Sequence, residues 1–200
     1  MNMYFDTPRQ YVLDLWDTLL YGDQSLGKSV IGRKETLSKV SPKDFFDFLG
    51  DQFVAKNSLF CVAGGIKNKK EVVEKIKKAF SGVKNGASRE KIKTLESQFK
   101  PEILLSHKKT DQTHFCLGVR TWDIFSQKKY TLALIATILG GNMSSRLFIS
   151  IRDKQGLAYY IRTVPQHYTD AGYLITHAGV DNKRVYVAIK TILKEYKDMK

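Results

Sequence analysis

The chain has 200 residues, 42% hydrophobic and 12% aromatic, so it carries the apolar material of a buried core and is not a disordered chain. Four prolines and the lack of any biased repeat exclude collagen-like and low-complexity classes. A net charge of +13 raises the question of nucleic-acid binding, but lysine supplies 25 of the 33 basic residues and is spread along the chain, beside glutamates on its helical stretches, as on solvated helix faces.

Asp6, Thr7 and Pro8 predict a helix start, with Asp6 as cap and proline in the first turn. Tyr11, Val12, Leu15, Trp16, Leu19 and Leu20 recur at helical spacing, and Gly22 ends the run. Residues 23–34 read as an irregular loop. Ser41, Pro42 and Asp44 mark a second start, followed by Phe45, Phe46, Phe48, Leu49, Phe53 and Val54 with helical period. Asn57 breaks that helix. The continuous apolar run Ser58–Ala63 predicts a buried strand, closed by Gly64 and Gly65. Residues 68–80 predict an amphipathic helix with Val72, Val73, Ile76, Ala79 and Phe80 on its inner side.

From Ser81 to Lys100 the pattern fades into Lys, Ser and Gly, the composition of a linker. Residues 102–108 and 112–122 predict strands. A helix over 128–139 is interrupted by Gly140, Gly141 and Asn142 and resumes over 144–154. Residues 157–167 and 172–180 predict paired strands around a turn at 168–171, and Asp181 or Asn182 caps a last helix. Strands that follow one another in pairs predict an α+β fold, an antiparallel sheet with helices packed on one face, not a doubly wound sheet.

Cys61 and Cys116 lie in apolar runs and read as buried, reduced thiols. His107, His114, His167 and His177 show no H-x-x-E-H or H-x-x-H spacing, so no metal site is predicted within the chain. No G-x-S-x-G elbow or phosphate-loop spacing is present. No apolar run approaches the ~20 residues of a membrane span. The first residues carry no secretory signal, and a cytoplasmic protein is expected.

On the helix over 144–154, Leu147, Phe148 and Ile151 form an apolar face, while Arg146, Ser150 and Asp153 form a polar one. Arg152 lies at the border, and Tyr159 opens the next strand. Two readings stay open. The guanidinium and phenol could converge as donors for a peptide carbonyl or an oxyanion, or they could be a surface ion-pair arginine and a core tyrosine.

The run G-G-N-M-S-S-R-L-F-x-x-I-R-D-K-x-G-L-A-Y at 140–159 resembles the second-half signature of the pitrilysin, insulin-degrading enzyme and mitochondrial processing peptidase family, zinc peptidases with an inverted H-x-x-E-H motif. Y-G-D-Q-S-L-G-K-S-V-I-G-R-K-E-T-L at 21–37 resembles that family's G-x-x-P-L-G loop, and N-S-L-F-C-V-A-G-G at 57–65 its N-x-x-x-V-x-A-G-D strand. The resemblance implies that Arg152 and Tyr159 contact the bound peptide. It also places Gly140, Gly141, Asn142, Ser144 and Ser145 in a loop near the substrate path, although Ser144 could equally cap the following helix.

The family's histidine pair, catalytic glutamate and third ligand glutamate would lie upstream, with Asn2–Tyr4 just after that last glutamate. The resemblance therefore implies a fragment. Residues 1–81 would be the end of one structural repeat, 82–101 a linker and 102–200 most of the next repeat. No cofactor is expected in this chain, and zinc is expected in an intact relative. The expected function is part of a zinc-dependent peptidase, supplying the substrate-contacting Arg/Tyr half and inactive alone. The alternative is a non-catalytic, peptidase-like subunit that binds peptides. Expected partners are a peptide or unfolded protein substrate and the missing zinc-binding half or a partner subunit. Neither nucleic acid nor a membrane is expected. Exposed sheet edges predict a homo-oligomer, or packing of the first three helices on the second repeat's sheet.

Overall fold

The computed structural model describes residues 5–87 and 89–199; Asn2–Tyr4, placed above after a ligand glutamate, lie outside them. Contacts divide the chain into two compact units. One holds the residues up to Gly32 and those from Lys93 onward, and the other spans Arg33–Ile92.

The first unit is built on a three-stranded antiparallel sheet of β1 (Gln112–Thr121), β2 (Ala158–His167) and β3 (Gly172–Asp181), in the order β1-β3-β2. β2 and β3 form the expected hairpin, closed where Tyr168 N–H donates to the Ala171 carbonyl at 2.8 Å. Helix α1 (Pro8–Tyr21) belongs to this unit. Its cap is Thr7 rather than Asp6, one residue later than expected, because Pro8 itself takes the first helical position.

Each side of the sheet has its own core, because strand side chains alternate between faces. On one face Phe115, Leu117, Ala158, Ile161, Leu174, Ala178 and Val180 meet Leu132, Ala136, Leu147, Ile151, Ala188 and Ile192. The latter come from helix α5 (Lys128–Ala136), the helical turn at 146–147 with the wide π-turn Phe148–Asp153 that continues it, and the last helix, Val185–Lys197. Thr163 and Thr176, paired across β2 and β3, bury their hydroxyls here. They satisfy one another at 2.7 Å and reach the Tyr196 hydroxyl at 2.6 Å. The helices that follow β1 in the chain thus pack on one face, as the paired strands predict. The other face is covered by α1, whose Trp16, Leu20 and Tyr21 are buried against Ala171, Tyr173 and Ile175. Of the three N-terminal helices expected on this sheet, α1 is the one that belongs to its unit.

The second unit contains helices α2 (Lys34–Leu37), α3 (Pro42–Gln52) and α4 (Lys69–Ala79). The expected start signals hold. Asp44 Oδ2 accepts from Ser41 N–H at 2.8 Å and from Ser41 Oγ at 2.6 Å, and Asn68 Oδ1 accepts from Glu71 N–H at 3.3 Å. Residues 58–63 and, in the first unit, 102–108 are not strands. A strand exists only through its ladder, and no described segment pairs with either run. Cys61 is consequently exposed rather than buried, whereas Cys116, on β1, is partly buried and its thiol is pushed up to about 12 by desolvation. The apolar sides of α3 and α4 stay largely open. Phe46 is 72% and Phe53 66% exposed, while Val54 is buried under Gly86.

Candidate functional site

Arg152 and Tyr159 stand at the two ends of one short connection. Arg152 is the penultimate residue of the π-turn, with its guanidinium 5.1 Å from the Phe148 ring centroid, and its carbonyl accepts from Gly156 N–H at 3.1 Å. Leu157 N–H donates to the Ile151 carbonyl at 2.8 Å, so the chain reverses tightly into β2. Gly156 takes φ +56° to do so, a conformation that favours glycine.

Tyr159 is the extra residue of a β-bulge. Ala158 pairs with Val180 and Tyr160 with Gly179, so two steps along β2 match one along β3. The bulge leaves Tyr159 56% exposed between buried Ala158 and partly buried Tyr160. The core-tyrosine reading therefore fails for Tyr159, and Arg152 is exposed as well.

A residue that sequence reasoning passed over holds this corner. Arg184 donates from Nη1 to the Gly156 carbonyl at 3.1 Å and from Nη2 to the Gln155 carbonyl at 2.9 Å. It follows β3 in a 3-10 turn capped by Asp181, whose Oδ1 accepts from Lys183 N–H at 2.8 Å. A forked guanidinium on two successive carbonyls fixes the turn that spaces Arg152 from Tyr159. Only an arginine next to a cap, far away in sequence, could have hinted at it.

The glycine loop is organised by Asn142. Its side chain accepts from Ser144 N–H at 2.9 Å, and its carbonyl accepts from Ser145 Oγ at 2.5 Å. Asn142, not Ser144, thus ties the start of the next helical stretch. Gly140 is buried against β2, where an added Cβ would lie 2.4 Å from Thr163 Oγ1 and 2.7 Å from its nitrogen. Ser145 is buried too, leaving Gly141, Asn142 and Ser144 on the surface of the loop.

Among the described residues, no three His, Cys, Asp or Glu side chains group as a metal site would require. The described part of the chain does not fit a zinc centre. No described helix is long and apolar enough to cross a membrane.

Comparison with known proteins agrees with this architecture. The family described as "Peptidase M16 inactive domain" matches residues 39–200. An uncharacterized zinc protease of Bacillus subtilis, YmxG, is 31% identical over 193 residues, covering 96% of this chain and 46% of that protein. An uncharacterized zinc protease of Rickettsia felis is also 31% identical, over 97% of this chain and 46% of its own length. The chain thus spans about half the length of the curated relatives it matches. Among solved structures, a peptidase M16 inactive domain from Pseudomonas fluorescens superposes with a TM-score of 0.85 at 16% identity, covering 98% of this chain and 48% of that one. A protease from Helicobacter pylori does so with a TM-score of 0.83 at 19% identity, covering 97% and 48%. At such identities these two likenesses speak to fold alone. The family match over 39–200 goes further: the chain belongs to the M16 peptidase family, in the portion described as its inactive domain.

Proposed function

We propose that this chain is the substrate-contacting half of a zinc-dependent peptidase and is inactive without a zinc-binding half. The observation that carries the reading is the bulge that turns Tyr159 outward across a clamped corner from Arg152. The guanidinium and the phenol hydroxyl donate hydrogen bonds to a peptide carbonyl, orienting it and stabilising charge that develops on its oxygen. Gly141, Asn142 and Ser144 line the peptide's path, and Gly140 and Ser145 hold that loop in place. Residues 1–81 would close one repeat, 82–101 link it and 102–200 begin the next. The exposed phenylalanines of α3 supply apolar surface against which the missing half packs. A purely peptide-binding subunit is the second reading, favoured by the inactive-domain description of the matching family.

The test uses a fluorogenic peptide. The purified chain alone is expected to show no chelator-sensitive turnover. Combined with the separately expressed zinc-binding half of a relative, it is expected to support turnover that falls about a hundredfold with Arg152→Ala or Tyr159→Phe, the scale of one lost oxyanion donor. Turnover by the chain alone would refute the first statement. Reconstituted turnover indifferent to both substitutions would refute the residue assignment. Peptide binding without turnover in the reconstituted pair would favour the second reading.

A further inference from the structure

The sheet face under α1 carries a polar cluster that the proposed peptidase role does not use. The register sets two rows across the three strands: His114, Gly179 and Tyr160, then Cys116, His177 and Arg162. Gly179 in the middle of the first row leaves a gap that the outer two residues fill. A Cβ there would lie 2.5 Å from Tyr160 Cε1 and 3.2 Å from His114 Cε1. His114 Nδ1 and the Tyr160 hydroxyl are hydrogen-bonded at 2.9 Å. The His177 ring lies 5.6 Å from that of Tyr160, and its Nδ1 is buried with no hydrogen-bond partner among the described residues. His177 as a whole is 8% exposed.

From above, α1 lowers Arg9 onto this cluster, its guanidinium 4.3 Å from the Tyr160 ring centroid. Cys116 Sγ contacts the Val12 carbonyl at 3.7 Å. The charged groups facing the histidines are Arg9 from α1 and Arg162 from β2. The nearby acids are engaged elsewhere. Asp6 pairs with Lys108 at 3.3 Å, Asp181 caps its own turn, and Asp17 is hydrogen-bonded to Tyr173. The cluster thus holds two imidazoles beside two guanidinium groups; the acid whose charge reaches it, Asp17, acts on Cys116 and is itself held up to about 6 by burial.

We propose that His114, His177 and Tyr160 beneath Arg9 form an acid-sensitive latch for α1, closed while both imidazoles are neutral and opened at its N-terminal end when they gain protons. Neutral His114 accepts a hydrogen bond from the Tyr160 hydroxyl, which leaves the electron-rich ring face to Arg9. Protonation places imidazolium charges next to that guanidinium in a partly desolvated site. The far end of α1 responds in the opposite sense: burial raises the Asp17 carboxyl to about 6, so acidification removes a buried charge there and favours docking. Trp16 packs edge-on to Tyr173 at 5.7 Å, and Tyr21 packs on Tyr168 at 6.3 Å. Release therefore begins at the first turns and leaves the aromatic end docked.

The direction of the pH effect follows from the histidines. Burial first, then the neighbouring arginines (Arg9 beside both rings, Arg162 beside His177), hold both below the ordinary histidine range. Unfolded or released, they bind protons more readily than when docked. The latch is then fully present above about pH 6.5, the unperturbed value, and is lost as pH falls through the lowered values.

The inference is independent of any peptidase role and needs no activity to test. Amide exchange of the whole chain is measured across about pH 7 to pH 5 and expressed as protection relative to free peptide. The expected result is a fall of about tenfold in protection of residues 10–14, with no fall at residues 16–21. The double variant His114→Gln/His177→Gln is expected to lose this step. A step that persists in the double variant, or no step in the native chain, overturns the latch. Should the double variant not fold, Arg9→Gln decides. Removing the guanidinium must raise the pH at which both histidine ring signals titrate, and unchanged titrations overturn the proposal.

Discussion

Two regions of this chain show the same kind of sequence and reach opposite ends. Around the sheet, helices with apolar stripes bury them: Leu147, Ile151, Ala188 and Ile192 are inaccessible. In residues 33–92, helices with equally clear stripes leave Phe45, Phe46, Phe48 and Phe53 largely exposed. Caps are as good in the second region as in the first, or better. The difference is the paired backbone of β1, β2 and β3, a flat surface with two faces onto which helices can press. Amphipathicity states that a helix needs a partner, and only a partner turns the need into stability.

The sharpest way to break this comparison is a matched pair of truncations followed by urea unfolding. Ile151→Ala is expected to cost about 3 kcal/mol, since it empties a fully buried site, whereas Phe46→Ala is expected to cost less than about 0.5 kcal/mol. Comparable losses would mean that the phenylalanine face is covered in solution. A smaller effect probes how closely the glycine loop sits on the sheet. Gly140→Ala is expected to cost about 1–3 kcal/mol by overpacking against Thr163. If calorimetry showed it neutral, the loop would have room the packing does not suggest. The smallest effect concerns α3 alone. The hydroxyl and amide of Ser41 hold the Asp44 carboxyl below its ordinary value. The cap therefore contributes at pH above the ordinary carboxylate range and is lost as pH falls through the lowered value. Protection from amide exchange at residues 43–45, relative to free peptide, is expected to fall on acidification below about pH 4, and less so in Asp44→Asn.

Periodicity made the longer helices and the three paired strands legible to within a few residues, because each carries its pattern locally, whereas the four-residue α2 is too short to show a period. It misplaced strands at 58–63 and 102–108 for a definite reason. An apolar run reports a preference for burial, but a ladder requires a second strand, which is not local information. The same limit hid the contact of His114 with Tyr160 across Gly179 and the grip of Arg184 on the 155–156 turn. Arg152 and Tyr159 stood out through a motif, whereas the exposure of Tyr159 follows from a bulge that no spacing rule could place. Of the two readings left open for Ser144, the capping one goes to Asn142, whose side chain accepts from Ser144 N–H.

The bulge at Tyr159 has one more consequence, for how this segment tolerates gain and loss of residues. Ala158 and Ile161 face the same core although three positions apart, because Tyr159 absorbs one step of the alternation. A single-residue deletion here would restore a regular strand and force a choice. Either the corner before it or the whole of β2 after it must turn its side chains to the wrong face. Most loops forgive a lost residue. This position acts as a phase shifter between a helix end and a strand, so the frame of the entire hairpin is set by the one residue that pairs with nothing.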